Sequence, residues 1–189
     1  MQPIQSFSIA FALMLFSHNL SASAQTTTAP TPSADAVSEI KTYTAELNRY
    51  TKARKFRTFF YPDLKGGWGE LKGKSTQQLN GSCDVWTRDG NVVLAFFGFT
   101  SDAGDWYHFI KYYFRADGTL AKIEARLNTF YGSVSVLRDR YYDTNGKLLK
   151  STRRYLDIRT QKPVKKANFE DEPIPMYRKV TDLPFHKLL

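Results

Sequence analysis

Between Ser82 and Ile158, apolar strand-forming stretches are punctuated by Asp89-Gly90, Asp117-Gly118 and Asn145-Gly146, spaced 28 residues apart. Asp-Gly and Asn-Gly accept positive φ at consecutive positions, so each pair predicts a two-residue type I′ hairpin turn. The repeat extends into the flanks: Trp86, Phe114 and Tyr142 stand four residues before each glycine, and Val92, Leu120 and Leu148 two after it. An antiparallel meander follows, with strands predicted over Glu70–Leu79, Ser82–Arg88, Asn91–Thr100, Trp106–Arg115, Thr119–Phe130, Ser133–Tyr142 and Lys147–Ile158, the first two joined at Asn80-Gly81. Upstream, Val37, Ile40, Tyr43, Leu47 and Tyr50 fall at helical spacing, predicting a helix over Asp35–Lys55 with Ser33 or Asp35 as N-cap. Phe56–Trp68 breaks that period and reads as an aromatic connector through Pro62-Asp63 and Gly66-Gly67. The expected fold is α+β: an N-terminal helix on a curved antiparallel β-meander of about seven strands, resembling a partial barrel.

A two-residue turn sets the residue four before its glycine opposite the residue three after it. In the central hairpin this groups Trp106, His108, Ile110, Tyr112 and Phe114 with Ala121, Ile123, Ala125 and Leu127 on a core face. The other face then pairs Lys111 with Glu124, Tyr113 with Lys122 and Phe109 with Arg126, a pattern suited to water. Asn91–Thr100 is apolar on both faces and calls for cover on both, the helix on one and curled sheet or a ligand on the other. In the last hairpin the same rule puts Arg138 and Arg140 on the core-side face, with Arg138 opposite Arg153. Like charges there are unfavourable. Either the Asn145-Gly146 loop is longer and shifts the pairing, or this end of the sheet holds an anion.

Length and the two ends set the domain plan. The 189 residues, 42% hydrophobic, suit one well-cored domain, over 35–172. Phe7–Phe16 is an apolar run too short to span a bilayer, and it leads to Ala22-Ser23-Ala24, a small-x-small cleavage pattern. Residues 1–24 therefore read as a signal peptide, placing the mature protein in the periplasm or outside the cell after cleavage near Ala24. Residues 25–34, rich in Thr and Pro, read as a flexible linker. Residues 173–189 read as an extended C-terminal arm. Cys83 is the one cysteine, so no internal disulfide is available, and beside Val85 and Trp86 it reads as a buried small hydrophobe.

Charge adds a partner to this picture. The net charge is +9. Residues 41–74 hold nine Lys/Arg against three acids and 138–166 ten against three, while 75–137 hold five against six. Two basic regions flanking a near-neutral middle suggest an anionic partner such as a glycan or a lipid surface, with no specific nucleic acid implied. Arg138, Arg140 and Arg153 are the candidate anion-binding residues.

Catalytic chemistry is not signalled. Asp102, Asp105 and His108 are spaced by three, as in a metal or acid–base cluster, but Asp102-Ala103-Gly104-Asp105 is ordinary turn chemistry and His108 faces the core. A Cys83–His108 pair would need an activating partner that spacing does not provide. Phosphate loops, paired-cysteine motifs and nucleophile elbows are missing from the sequence. Tyr141–Leu148 resembles one unit of the Tyr-Asp repeats of large secreted shell proteins and implies no family. The expectation is a non-enzymatic binding module without metal or cofactor. The alternative is a carrier of a hydrophobic small molecule or lipid in the curled sheet, its cavity lined by Asn91–Thr100.

Overall fold

The computed structural model describes residues 32–61, 67–73, 81–165 and 173–189. The signal peptide, most of the linker, Pro62-Asp63, residues 74–80 and Phe169–Glu172 lie outside the described residues. One helix, α1 (Pro32–Thr51), packs on an open antiparallel sheet of eight strands. The strands are β1 (Arg57–Phe60), β2 (Gly69–Glu70), β3 (Gly81–Arg88), β4 (Asn91–Thr100), β5 (Trp106–Phe114), β6 (Leu120–Thr129), β7 (Val134–Tyr142) and β8 (Leu148–Asp157). Their order across the sheet is β2-β1-β3-β4-β5-β6-β7-β8. The α+β class and the meander from β3 to β8 are as the sequence predicts, but its start is not: β3 pairs with β1, in the stretch read as a connector, rather than with the strand expected over Glu70–Leu79, of which only Glu70, in β2, is strand among the described residues.

The helix begins at Pro32, inside the stretch read as linker, where the fixed φ of proline suits a first turn. Ser33 and Asp35 are therefore inside the helix rather than capping it. Val37, Ile40 and Leu47 are each at most 6% exposed, worth about 1.5–3 kcal/mol apiece against the solvated chain. Tyrosine hydroxyls stitch the helix to the sheet. Tyr43 donates to the Phe114 carbonyl at 2.6 Å, Tyr50 to that of Thr87 at 3.1 Å, and Tyr113 on β5 to Asn48 Oδ1 at 3.0 Å.

The three hairpins differ at their turns. Asp89 (φ 52) and Gly90 (φ 80) make the expected type I′ turn. In the other two only the glycine has positive φ, 78 at Gly118 and 77 at Gly146. The glycine N–H bonds back to Arg115 O (2.9 Å) and Asp143 O (3.1 Å), giving a type I turn closed by a left-handed glycine. Asp143 favours this in the last hairpin, since its Oδ1 accepts from the N–H groups of Asn145 and Lys147 at 2.9 and 2.8 Å.

Each hairpin also carries a β-bulge at the same place, three residues after its glycine. Val93, Ala121 and Leu149 are the extra residues, 28 apart. In the second and third hairpins the bulge cancels the longer turn, so pairs beyond it obey the two-residue rule: Tyr112↔Ile123, Ile110↔Ala125, Arg138↔Arg153. The bulge residue itself flips. Ala121, expected on the core face with Phe114, instead joins Val37, Ile40 and Tyr141 under the helix, and Leu120 takes the inner position. Val93 packs with Leu47, and Leu149 against Ala121 and Ile40's cluster.

The outer face expected to be wetted is wetted only in part, because α1 covers its turn end and leaves Tyr113 fully buried and Lys122 8% exposed. The inner face holds the main core, and the C-terminal segment belongs to that core. Leu183 and Phe185 are at most 1% exposed, Phe185 stacks on Phe59 at 4.3 Å, and Tyr177 on Phe97 at 5.6 Å. The segment is sewn on by Leu120 N–H to Arg178 O (2.8 Å) and Val180 N–H to Gly118 O (3.0 Å), then closes in two short 3₁₀ turns. The doubly apolar β4 is thus covered by the helix at one end of its outer face and by the arm on its inner face.

Candidate functional site

Toward β7 and β8 the inner face changes character. Arg138 is opposite Ala125 on β6 and Arg153 on β8, and Arg140 is opposite Ile123 and Ser151. Directly opposed residues share a face, so all three arginines lie on the side that carries Ile110, Tyr112, Ile123 and Ala125 in the core. The sequence-predicted grouping is therefore assembled, by pairing on adjacent strands.

Their surroundings are graded. Arg138 is 8% exposed, Arg140 half-buried, and Arg153 open to solvent with its guanidinium over the Tyr155 ring at 5.2 Å. Burial, then the charges of Arg153 and Arg140, push Arg138 down to about 10. At about 1.4 kcal/mol per unit, the surroundings disfavour its charge by a few kcal/mol. Burial raises the titration of the Tyr142 hydroxyl, and the charge of Arg140 beside it works the other way. Three forked donors with unfavourable mutual charge can seat phosphate, sulfate or carboxylate oxygens in paired hydrogen bonds, and a bound anion removes the repulsion.

Sequence reasoning missed two neighbours of this cluster, Tyr155 and the effect of His108. His108 sits opposite Phe99 and Leu127 on the same face, 3% exposed, with its Nε2 buried and without a hydrogen-bond partner among the described residues. Burial, then the charge of Arg138, lowers it to about 4, so it is a neutral imidazole near pH 7. The alternation that placed His108 on the core face was the available signal; the reach of the arginine side chain was not.

The other candidates do not come together. Among the described residues no group of three or more His, Cys, Asp or Glu could hold a metal ion. Asp105 instead hydrogen-bonds the Ser101 hydroxyl in its turn, and the Ser101 hydroxyl accepts from the Asp105 N–H. Cys83, on β3 opposite Phe97, is fully buried. Burial raises its thiol well above the ordinary range, an environment that suppresses the reactive thiolate. No helix of the described residues is long and apolar enough to cross a membrane.

Comparison with known proteins gives no relative: no protein-family description, no curated protein and no solved structure matches this chain.

Proposed function

We propose that this protein is an exported, non-enzymatic binding module that holds an anionic partner, a glycan or an acidic lipid surface, through Arg138, Arg140 and Arg153. The observation that carries the reading is the register that sets Arg138 opposite Arg153, with Arg140 beside them on the same face. An ordinary basic surface spreads its charges in water. Here one guanidinium is nearly buried while two others press on it, and an anion reverses that cost.

The test is retention of the purified protein on heparin resin, and on vesicles of acidic lipid, over a salt series. Screening shortens to about 8 Å at 0.15 M salt, so a converged site should outlast diffuse attraction. Arg138→Ala and Arg153→Ala should each lower the eluting salt clearly more than Lys150→Ala, an exposed base on β8 opposite Tyr141 and so on the other face. Equal small losses for all three would leave only a diffusely basic protein. A variant with Glu170, Asp171 and Glu172 made neutral is the control for the chain's own acids, whose competition would show as stronger retention.

The carrier reading faces a physical obstacle. A ligand over the inner side of Asn91–Thr100 would have to displace Tyr177 and Phe185, which already stack on Phe97 and on Phe59.

A further inference from the structure

On the opposite side of the sheet from the arginines, α1 and the three hairpin turns enclose a groove of ≈ 630 Å³. That is within the range of small-ligand sites, roughly 300–1,000 Å³. Its floor is apolar and comes from the repeat itself: Val93, Ala121 and Leu149, the three bulge residues, with Ile40 and Tyr43 of the helix above them. By the two-residue rule Ala121 and Leu149 would pair with Phe114 and Tyr142 on the inner face; their bulges turn both outward, to the place that Val93 shares.

The polar rim carries both signs of charge. Glu39, Asp89 and Asp143 line it together with Arg88 and Arg115. Both guanidiniums have acids of their own: Arg88 Nη1 pairs with Glu46 at 2.7 Å, and Arg115, which donates to the Leu120 and Tyr142 carbonyls at 2.7 and 2.6 Å, has the charges of Asp117 and Asp143 beside it. Asp143 is partly spent on its own turn. Glu39 and Asp89 are exposed, and no hydrogen bond or ion pair among the described residues engages either carboxylate. Tyr43 also offers no open hydroxyl, its proton being given to Phe114 O. What remains to meet a ligand is an apolar floor under the carboxylates of Glu39 and Asp89, the second of which also faces the Arg88 charge.

We infer that this groove is a second binding site, for a small and mostly apolar organic cation such as an aromatic or aliphatic amine. Its body covers Val93, Ala121 and Leu149, and its ammonium group lies toward Glu39 and Asp89. The net charge of +9 opposes a cation at long range. At 0.15 M salt that field is screened beyond about 8 Å, and the two nearby carboxylates decide the preference.

The test titrates the full chain, at 0.15 M salt, with 1-naphthylmethylammonium and with 1-naphthylacetate, which share a ring system and differ in charge. Amide shifts are followed by nuclear magnetic resonance. The expected result is saturable shifts at Val93, Ala121 and Leu149 with the cation, and at least tenfold weaker binding of the anion there. The Glu39→Gln, Asp89→Asn double variant should bring that preference below threefold. Both substitutions are at exposed sites and asparagine tolerates the positive φ of residue 89, so the fold is kept and an unchanged spectrum elsewhere verifies it. Absence of shifts at the three bulge residues, equal or tighter binding of naphthylacetate, or a preference unmoved by the double variant would each overturn the assignment. None of these results depends on the arginine cluster, which has its own readout on the anionic resin.

Discussion

Two neighbouring rows cross the same strands, one residue apart, and end differently. The outer row runs Lys111–Glu124–Asp139–Thr152, the inner row Ile110–Ala125–Arg138–Arg153. In the outer row the like pair Glu124 and Asp139 is bridged from the next position by Lys122, whose Nζ lies 2.9 and 2.8 Å from the two carboxylates. Burial works against that ammonium, yet the hydrogen bonds to Asp139 and Glu124 prevail and raise its titration above the ordinary lysine range. In the inner row the like pair is two arginines, and burial and mutual charge drive Arg138 the other way. The same backbone geometry gives a closed charge network on one face and a concentrated positive charge on the other. The difference is between a like pair bridged by a buried lysine and a like pair in which burial and a second guanidinium both disfavour the charge of Arg138.

The largest effect that sharpens this contrast is on the acid side. His108, beside the inner row, is held neutral down to about pH 4, while an unfolded histidine takes up its proton near 6.5. The unfolded state therefore binds more protons in that window. His108's contribution is full above about pH 6.5 and is lost toward pH 4, by up to about 3 kcal/mol. Urea unfolding at pH 7, 5.5 and 4 should show that loss, and His108→Leu should flatten it; parallel curves for the two proteins would place the acid sensitivity elsewhere.

Next is Lys122→Met, which leaves Glu124 and Asp139 opposed. Breaking a buried pair costs roughly 3–5 kcal/mol, and the 40% exposure of the Glu124 side chain brings the expectation to about 2 kcal/mol. A melting temperature within a degree of the parent would show that the outer network is not structural. The smallest effect is Arg153→Glu, which turns the inner like pair into an opposite one. Arg153 is exposed, so stability should rise by no more than about 0.5 kcal/mol, while retention on heparin should fall sharply. Loss of stability instead would mean the inner arginines do not repel.

Much of this was readable from residues alone. The 28-residue recurrence of Asp-Gly and Asn-Gly gave the hairpins, and the opposition of Arg138 and Arg153 followed from counting. It held for a reason that counting did not contain, namely that a longer turn and a bulge cancel. A bulge leaves no mark in apolar periodicity, so Ala121 was placed on the wrong face and the groove floor went unseen. The visible trace was the recurrence of Val93, Ala121 and Leu149, three apolar residues in register with the repeat. Burial of Leu183 and Phe185 was also hidden, because an arm that crosses a sheet follows neither the helical nor the strand period.

The sheet is open, and β8 is its last strand. A terminal strand offers main-chain donors and acceptors to any other strand, which makes it the natural starting point of aggregation. Here Pro163 meets Leu156 near the far end, and Lys150, Arg153 and Arg154 stand along the strand between. Two copies approaching edge to edge would bring these bases against one another and be turned away. Positive charge along β8 thus opposes edge-to-edge pairing of two copies of the chain.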